Sequence, residues 1–194
     1  METTSKYTRT AMVLHWLIAV LILTNIVLAL SVDYIPEERI RLVIDTHKSI
    51  GITVLGLFFL RVLWRFTHKP PPLPEHFPRW EKFGAHAAHI ALYAFILLMP
   101  ISGWLHDSAW VDAATHPMTL FYLVPWPRIG FIMNMPPDTK EWLHTVFGNI
   151  HASLSYIFYV LFALHVLGAL KHEFIDKESV LARMLPGKRK PAER

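Results

Sequence analysis

Hydrophobic positions along the chain gather into four long runs, 11–32, 47–66, 83–105 and 142–170, separated by stretches rich in charge or proline. A helix crossing the ~30 Å hydrocarbon core of a bilayer needs about 20 predominantly apolar residues, and each run has that length. The first, third and fourth hold no Asp, Glu, Lys or Arg, and the second carries Lys48 at its start and Arg61 and Arg65 near its end, where long side chains extend towards the interface. Backbone polar groups in lipid have no water to bond, so the four runs are predicted helices. The expected architecture is all-α: an integral membrane four-helix bundle forming one domain over 1–194.

The connections carry less order but more charge. Lys6 and Arg9 precede the first run, and the 67–78 stretch with Pro70, Pro71, Pro72, Pro74 and Pro78 reads as a stiff extended connector flanked by Lys69 and Arg79. The tail adds Lys171, Lys177, Arg183, Lys188, Arg189, Lys190 and Arg194, whereas Asp33, Glu37, Glu38, Asp45, Asp107, Asp112, Asp138 and Glu141 occupy the two opposite connections. The positive-inside rule then puts both termini in the cytoplasm. The first run imitates a signal peptide, but it is longer than a signal's apolar region and lacks an A-x-A-like cleavage site, so retention is expected. The long outer connection, 106–141, contains Trp110, Pro117, the apolar run 121–127, Pro136 and Pro137, and predicts a short re-entrant or interfacial segment.

Composition sharpens this picture: 53% of residues are hydrophobic against 18% charged, and the net charge of +4 falls where topology and anionic lipid headgroups place basic residues. No nucleic-acid partner is needed to explain it. Absence of cysteine excludes disulfides, thiolate-held clusters and covalent haem attachment. Any metal must sit on histidine or oxygen, and the chain has 12 histidines.

Ionisable side chains inside a membrane usually face the bundle interior. His15 lies near the cytoplasmic end of the first run and His47 opens the second at the outer face; His151 and His165 stand 14 residues apart on the fourth, sharing a face at two depths ~21 Å apart. Because neighbouring spans cross in opposite directions, His15 matches His165 in depth and His47 matches His151. Two imidazole pairs on facing helices suit planar haems clamped between them, and the pairs stand too far apart to share one tetrahedral zinc. His144 and His172 share the same helical face but fall outside the uninterrupted apolar stretch, which reads them as interfacial. His86 and His89, at i and i+3, read as polar contacts to a haem propionate or quinone, and His68, His76, His106 and His116 as surface-loop residues. Interhelical hydrogen bonding is the bland reading of the four paired histidines.

In order along the chain stand His15-Trp16, His47-Lys48-Ser49-Ile50-Gly51, Arg61-Val62-Leu63-Trp64-Arg65 before prolines, His86-x-x-His89, Ile101-Ser102-Gly103, His151 with His165, and Ala169-Leu170-Lys171-His172. Over nearly its whole length the sequence resembles the bacterial cytochrome b561 family. That resemblance implies an inner-membrane electron carrier with two haems b, ligated by His15 with His165 and by His47 with His151, linking the periplasmic face to the quinone pool. It further implies superoxide:quinone oxidoreductase activity with ubiquinone as acceptor; the alternative is a cytochrome b membrane subunit serving a periplasmic dehydrogenase or hydrogenase. A histidine-lined transporter without haem is the weaker third reading, since two discrete pairs make no continuous relay. Lys48 and Arg41 near the outer ligand favour an anionic donor, while Asp45, Glu37 and Glu38 oppose that field. Expected propionate or quinone contacts are Arg9, Arg61, Arg65, His86, His89, Lys171 and His172 inside and Lys48 outside, each basic residue having lipid phosphate as its ordinary partner.

Overall fold

In the computed structural model, which describes residues 6–178 and 180–185, four long helices dominate: α1 (Arg9–Ser31), α2 (Glu37–Thr67), α3 (Arg79–Ser108) and α5 (Pro137–Leu170). The basic tail residues Lys188, Arg189, Lys190 and Arg194 lie outside the described residues. Each long helix is apolar and long enough to cross a membrane, and each runs past its apolar stretch into the flanking polar sequence. The largest extension is in α2, which begins at Glu37, some three turns before His47. Those turns carry Glu37 and Glu38 where the helix dipole favours acids, and the Arg41–Asp45 pair at i, i+4 supports them.

The helices are apolar nearly all round, so the face buried in protein is marked by polar and small residues rather than by hydrophobicity. On α1 the lipid-facing stripe is Val13, Leu17, Val20, Val27 and Leu30, all exposed, and the opposite stripe is His15, Ile18, Ile22 and Asn25. On α5, Ile157, Val160, Leu164 and Leu167 face outwards, whereas His151, Phe158 and His165 recur every seven residues inwards. Ile18, Ile22, Ile50, Val54, Leu92 and Phe158, drawn from all four helices, form the core between the two depths. With no water to exclude from lipid-facing surfaces, close packing and hydrogen bonds hold such a bundle. Thr24, Thr46 and Thr53 return their hydroxyls to carbonyls four residues earlier in their own helices.

Packing runs from α1 to α2, α2 to α3 and α3 to α5. Both ends of the described chain meet on one side: the Tyr7 amide donates to the Arg183 carbonyl, and the Trp16 indole N–H donates to the Met184 carbonyl at 2.8 Å. Arg183 also reaches the Pro72 carbonyl in the proline-rich connector. This is the basic side, the one that the positive-inside rule assigns to the cytoplasm.

The outer connection starts later than expected, since α3 continues to Ser108 and carries His106 within it. It then folds into a hairpin of β1 (Thr119–Leu120) and β2 (Val124–Pro125), paired antiparallel, followed by the single helical turn α4 (Gly130–Met133). Pro100 sits inside α3, where it removes one backbone donor; in a bundle, neighbouring groups take up the freed carbonyl.

Candidate functional site

At the outer end the rings of His47 and His151 stand edge to face, centroids 6.2 Å apart. The His47 Nδ1–H donates to the Asn25 carbonyl at 3.2 Å. His151 Nδ1 lies 2.9 Å from the Ser102 hydroxyl, whose own hydrogen is committed to the Met99 carbonyl, so the imidazole is the donor there. Both rings therefore have their Nδ1 hydrogen occupied and leave a bare Nε2, the arrangement that ligating histidines adopt. Between them opens a cavity of about 490 Å³ lined by His47, His151, Asn25, Gly51, Gly103 and Phe158 among others. Gly103 eases the approach: a Cβ there would stand 3.3 Å from His151 Cε1, a contact tight enough to displace the ring slightly. The Asn25 side-chain oxygen, which lies on the cavity lining, is buried with no hydrogen-bond partner among the described residues.

At the inner end His15 and His165 meet in the same edge-to-face manner, centroids 6.4 Å apart. Two imidazoles on opposite sides of one metal, each bonded at about 2.0 Å through nitrogen, have centroids about 6.3 Å apart. Both separations fit. A directly hydrogen-bonded or stacked histidine pair stands closer, as His106 and His144 do at 3.8 Å.

His89 joins the inner pair, its ring 5.4 Å from that of His165. His86 does not; it is exposed, with Nδ1 on the Lys82 carbonyl one turn back. Arg61 donates to the Tyr93 hydroxyl at 3.0 Å and to the Ala11 carbonyl at 3.1 Å, and the Arg65 guanidinium lies over the Tyr93 ring at 5.6 Å. The two arginines, Lys6, Lys69, Trp64 and Tyr93 line a crevice of about 190 Å³ at the inner end, whose lining among the described residues has no carboxylate. Arg9 is exposed at the start of α1. Lys171 and His172 are committed elsewhere: Lys171 bridges Glu81 and Asp176, each at 2.8 Å, and His172 binds Asp176 at 2.8 Å while stacking on Phe77.

The outer site also contains an ion cluster that the sequence reading missed. Asp107, buried at the end of α3, takes Lys48 Nζ at 2.6 Å and Arg128 Nε at 2.7 Å, and Arg128 further donates to the Ala113 and His116 carbonyls. Lys48 also reaches Asp45 at 3.5 Å, which in turn holds Arg41. Lys48 lines the outer cavity, but its charge is compensated rather than offered to an incoming anion. The one hint in the sequence is that Arg128 is the lone base of the stretch 106–139.

His106 and His144 form a clasp between α3 and α5: each Nδ1–H donates to the other's backbone carbonyl, at 2.8 and 3.0 Å, with the rings stacked. Gly148 makes room, since a Cβ there would stand 2.9 Å from the His106 ring. Among the remaining loop histidines, His68 stacks on Trp64, His76 pairs with Glu178, and His116 packs against Trp110.

Residues 6–187 match the family described as prokaryotic cytochrome b561. Cytochrome b561 homolog 2 of Escherichia coli K12 is 32% identical over 188 residues, covering 95% of this chain and 93% of the relative. Homolog 1 of the same organism is 24% identical over 184 residues, with 94% and 98% covered. A probable superoxide oxidase, CybB, of Yersinia pestis is 26% identical over 192 residues, with 95% and 98% covered.

Proposed function

Because the chain belongs to the prokaryotic cytochrome b561 family, and so is a haem b electron-transfer protein of the bacterial inner membrane, we propose that it holds two haems b and passes electrons from the periplasmic face to quinone. His47 and His151 would hold the outer haem, and His15 and His165 the inner. The observation that carries this reading is the pair of edge-to-face imidazole couples, 6.2 and 6.4 Å between centroids, at opposite ends of one bundle.

When bound, haem supplies one-electron redox chemistry, and the protein sets orientation, access and potential. Asn25 and Ser102 fix the tautomer and angle of the outer imidazoles. Gly51 and Gly103 keep side chains out of the space between them, and the core between the depths holds the two sites apart. At the inner end Arg61, Arg65 and the crevice they line offer positive charge and donors to a propionate or a quinone carbonyl. His89, beside His165, is placed to exchange the protons that quinone reduction consumes.

Superoxide is the proposed donor, as the name of the Yersinia pestis relative suggests. Two superoxide ions each lose one electron to become dioxygen, and ubiquinone takes the two electrons and two protons to become ubiquinol. A protein donor, with this chain as the membrane subunit of a periplasmic dehydrogenase or hydrogenase, is favoured by one observation: the outer cations are matched by Asp45 and Asp107, so little net field recruits a small anion. The deciding experiment adds a superoxide-generating system to the purified protein with ubiquinone. Haem reduction faster than superoxide dismutation, followed by ubiquinol, supports the first reading; haems that stay oxidised until a periplasmic protein is added support the second.

A further inference from the structure

We propose that the hairpin tip at 121–126 is seated in the outer leaflet at the headgroup–acyl boundary, so that the outer connection is anchored by lipid. Residues 117–127 contain no charge and include Phe121, Tyr122, Leu123, Val124 and Trp126. Depth is fixed at both ends of this stretch. The Phe121 amide donates to the Ser49 hydroxyl at 2.9 Å, and Ser49 lies two residues further into α2 than His47, where the uncharged part of that span begins. The Pro127 carbonyl accepts the Trp104 indole N–H at 3.0 Å, and Trp104 stands one turn inside the outer end of α3. The chain leaves α3, turns, and comes back to the level of the apolar spans.

What it presents there is apolar. Phe121, Tyr122, Leu123 and Val124 are 45–83% exposed, with Leu123 the most open. A water-facing tip of such bulk is unfavourable, whereas aromatic residues are enriched at membrane interfaces.

The turn itself points the same way. Within the three-residue loop 121–123 the Leu123 amide donates to the Leu120 carbonyl at 2.9 Å, closing a β-turn whose central residues have positive φ, 50° at Phe121 and 61° at Tyr122. Turns with this backbone ordinarily use Asn-Gly or Asp-Gly, because bulky side chains are strained in the left-handed region. Two aromatics held in this strained backbone need a compensating environment, which the headgroup–acyl boundary supplies.

The chain has no cysteine, so Leu123→Cys introduces a single thiol for a polarity-sensitive fluorophore. Ala114→Cys, exposed in the same outer connection, is the aqueous control. The labelled holoproteins are placed in phosphatidylethanolamine–phosphatidylglycerol vesicles with a nitroxide either high or low on the lipid chain, or with iodide in the water. The label at 123 is expected to be quenched about threefold more by the high nitroxide than by the low one, and hardly by iodide, whereas the label at 114 answers to iodide. Tyr122→Cys repeats the measurement one residue away, and an unchanged haem spectrum certifies each variant as folded. Quenching at 122 and 123 by iodide, as strong as at 114 and with no nitroxide effect, overturns the proposal and leaves the tip as a surface for a periplasmic protein.

Discussion

Replacing a single imidazole of either pair separates the two sites. His47→Ala or His151→Ala is expected to abolish one spectral component and leave the other, and His15→Ala or His165→Ala the reverse. His144→Ala should leave both, because its ring is engaged with His106 rather than with the cavity. A haem-to-protein ratio near one in the unaltered protein, or loss of a ligand signature in His144→Ala with retention in His151→Ala, would refute this assignment. Gly103→Ala tests the approach of the ring: with a Cβ 3.3 Å from His151 Cε1, the imidazole must shift by a few tenths of an ångström. The outer component should move in wavelength and potential while the inner stays fixed. The four paired histidines were legible in the sequence because a helix maps fourteen residues onto one face at two depths. Asn25 and Ser102 were not, since nothing in their spacing marks which carbonyl or hydroxyl an imidazole will reach.

Among the elements, the end of α3 carries the largest single polar commitment. Asp107 is buried against Lys48 of α2 and Arg128 of the outer connection. Asp107→Ala leaves the almost fully buried Arg128 without its carboxylate and Lys48 with Asp45 alone, and removing one partner of such a buried pair costs about 3–5 kcal/mol. Thermal unfolding followed by haem absorbance should register the loss, with the outer component released first. At the other end, Asp176 follows the π-helical turn Lys171–Ile175, and its hydrogen bond from Lys171, with one from His172, holds its carboxyl below the usual carboxylate range. The stabilisation is present above the ordinary carboxylate pKa and is lost as pH falls through the depressed value. Amide protection factors over 171–178 should therefore fall on acidification below that ordinary range, while the spans stay protected. The sequence placed α1, α3 and α5 within a few residues of their helices, because length and apolarity alone specify a span. It did not anticipate the outer three turns of α2 or the extension of α3 past His106, both stabilised by local ion pairs and tertiary contacts rather than by apolar content.

For the whole molecule, catalysis with superoxide should show little dependence on salt. Arg41, Lys48 and Arg128 face Asp45 and Asp107, leaving a single net positive charge within this cluster. The second-order rate of haem reduction is expected to change by no more than about threefold as the Debye length shrinks from ~10 to ~3 Å between 0.1 and 1 M salt. A steeper fall would place an uncompensated cation on the approach path. Chain order and composition alone determined that four apolar helices span a membrane, that basic segments stay inside, that covalent haem is excluded, and that histidines fall at two matching depths. These follow from the solvent, since lipid enforces helix, length and charge asymmetry without reference to which helix neighbours which. Only the tertiary structure decided that His89 stands beside His165 while His86 turns away, that His106 clasps His144, that Lys48 is neutralised by Asp107, and that the outer hairpin returns to the level of Ser49. Those choices depend on helix rotation and loop path, which are set by side-chain packing between residues far apart in the chain.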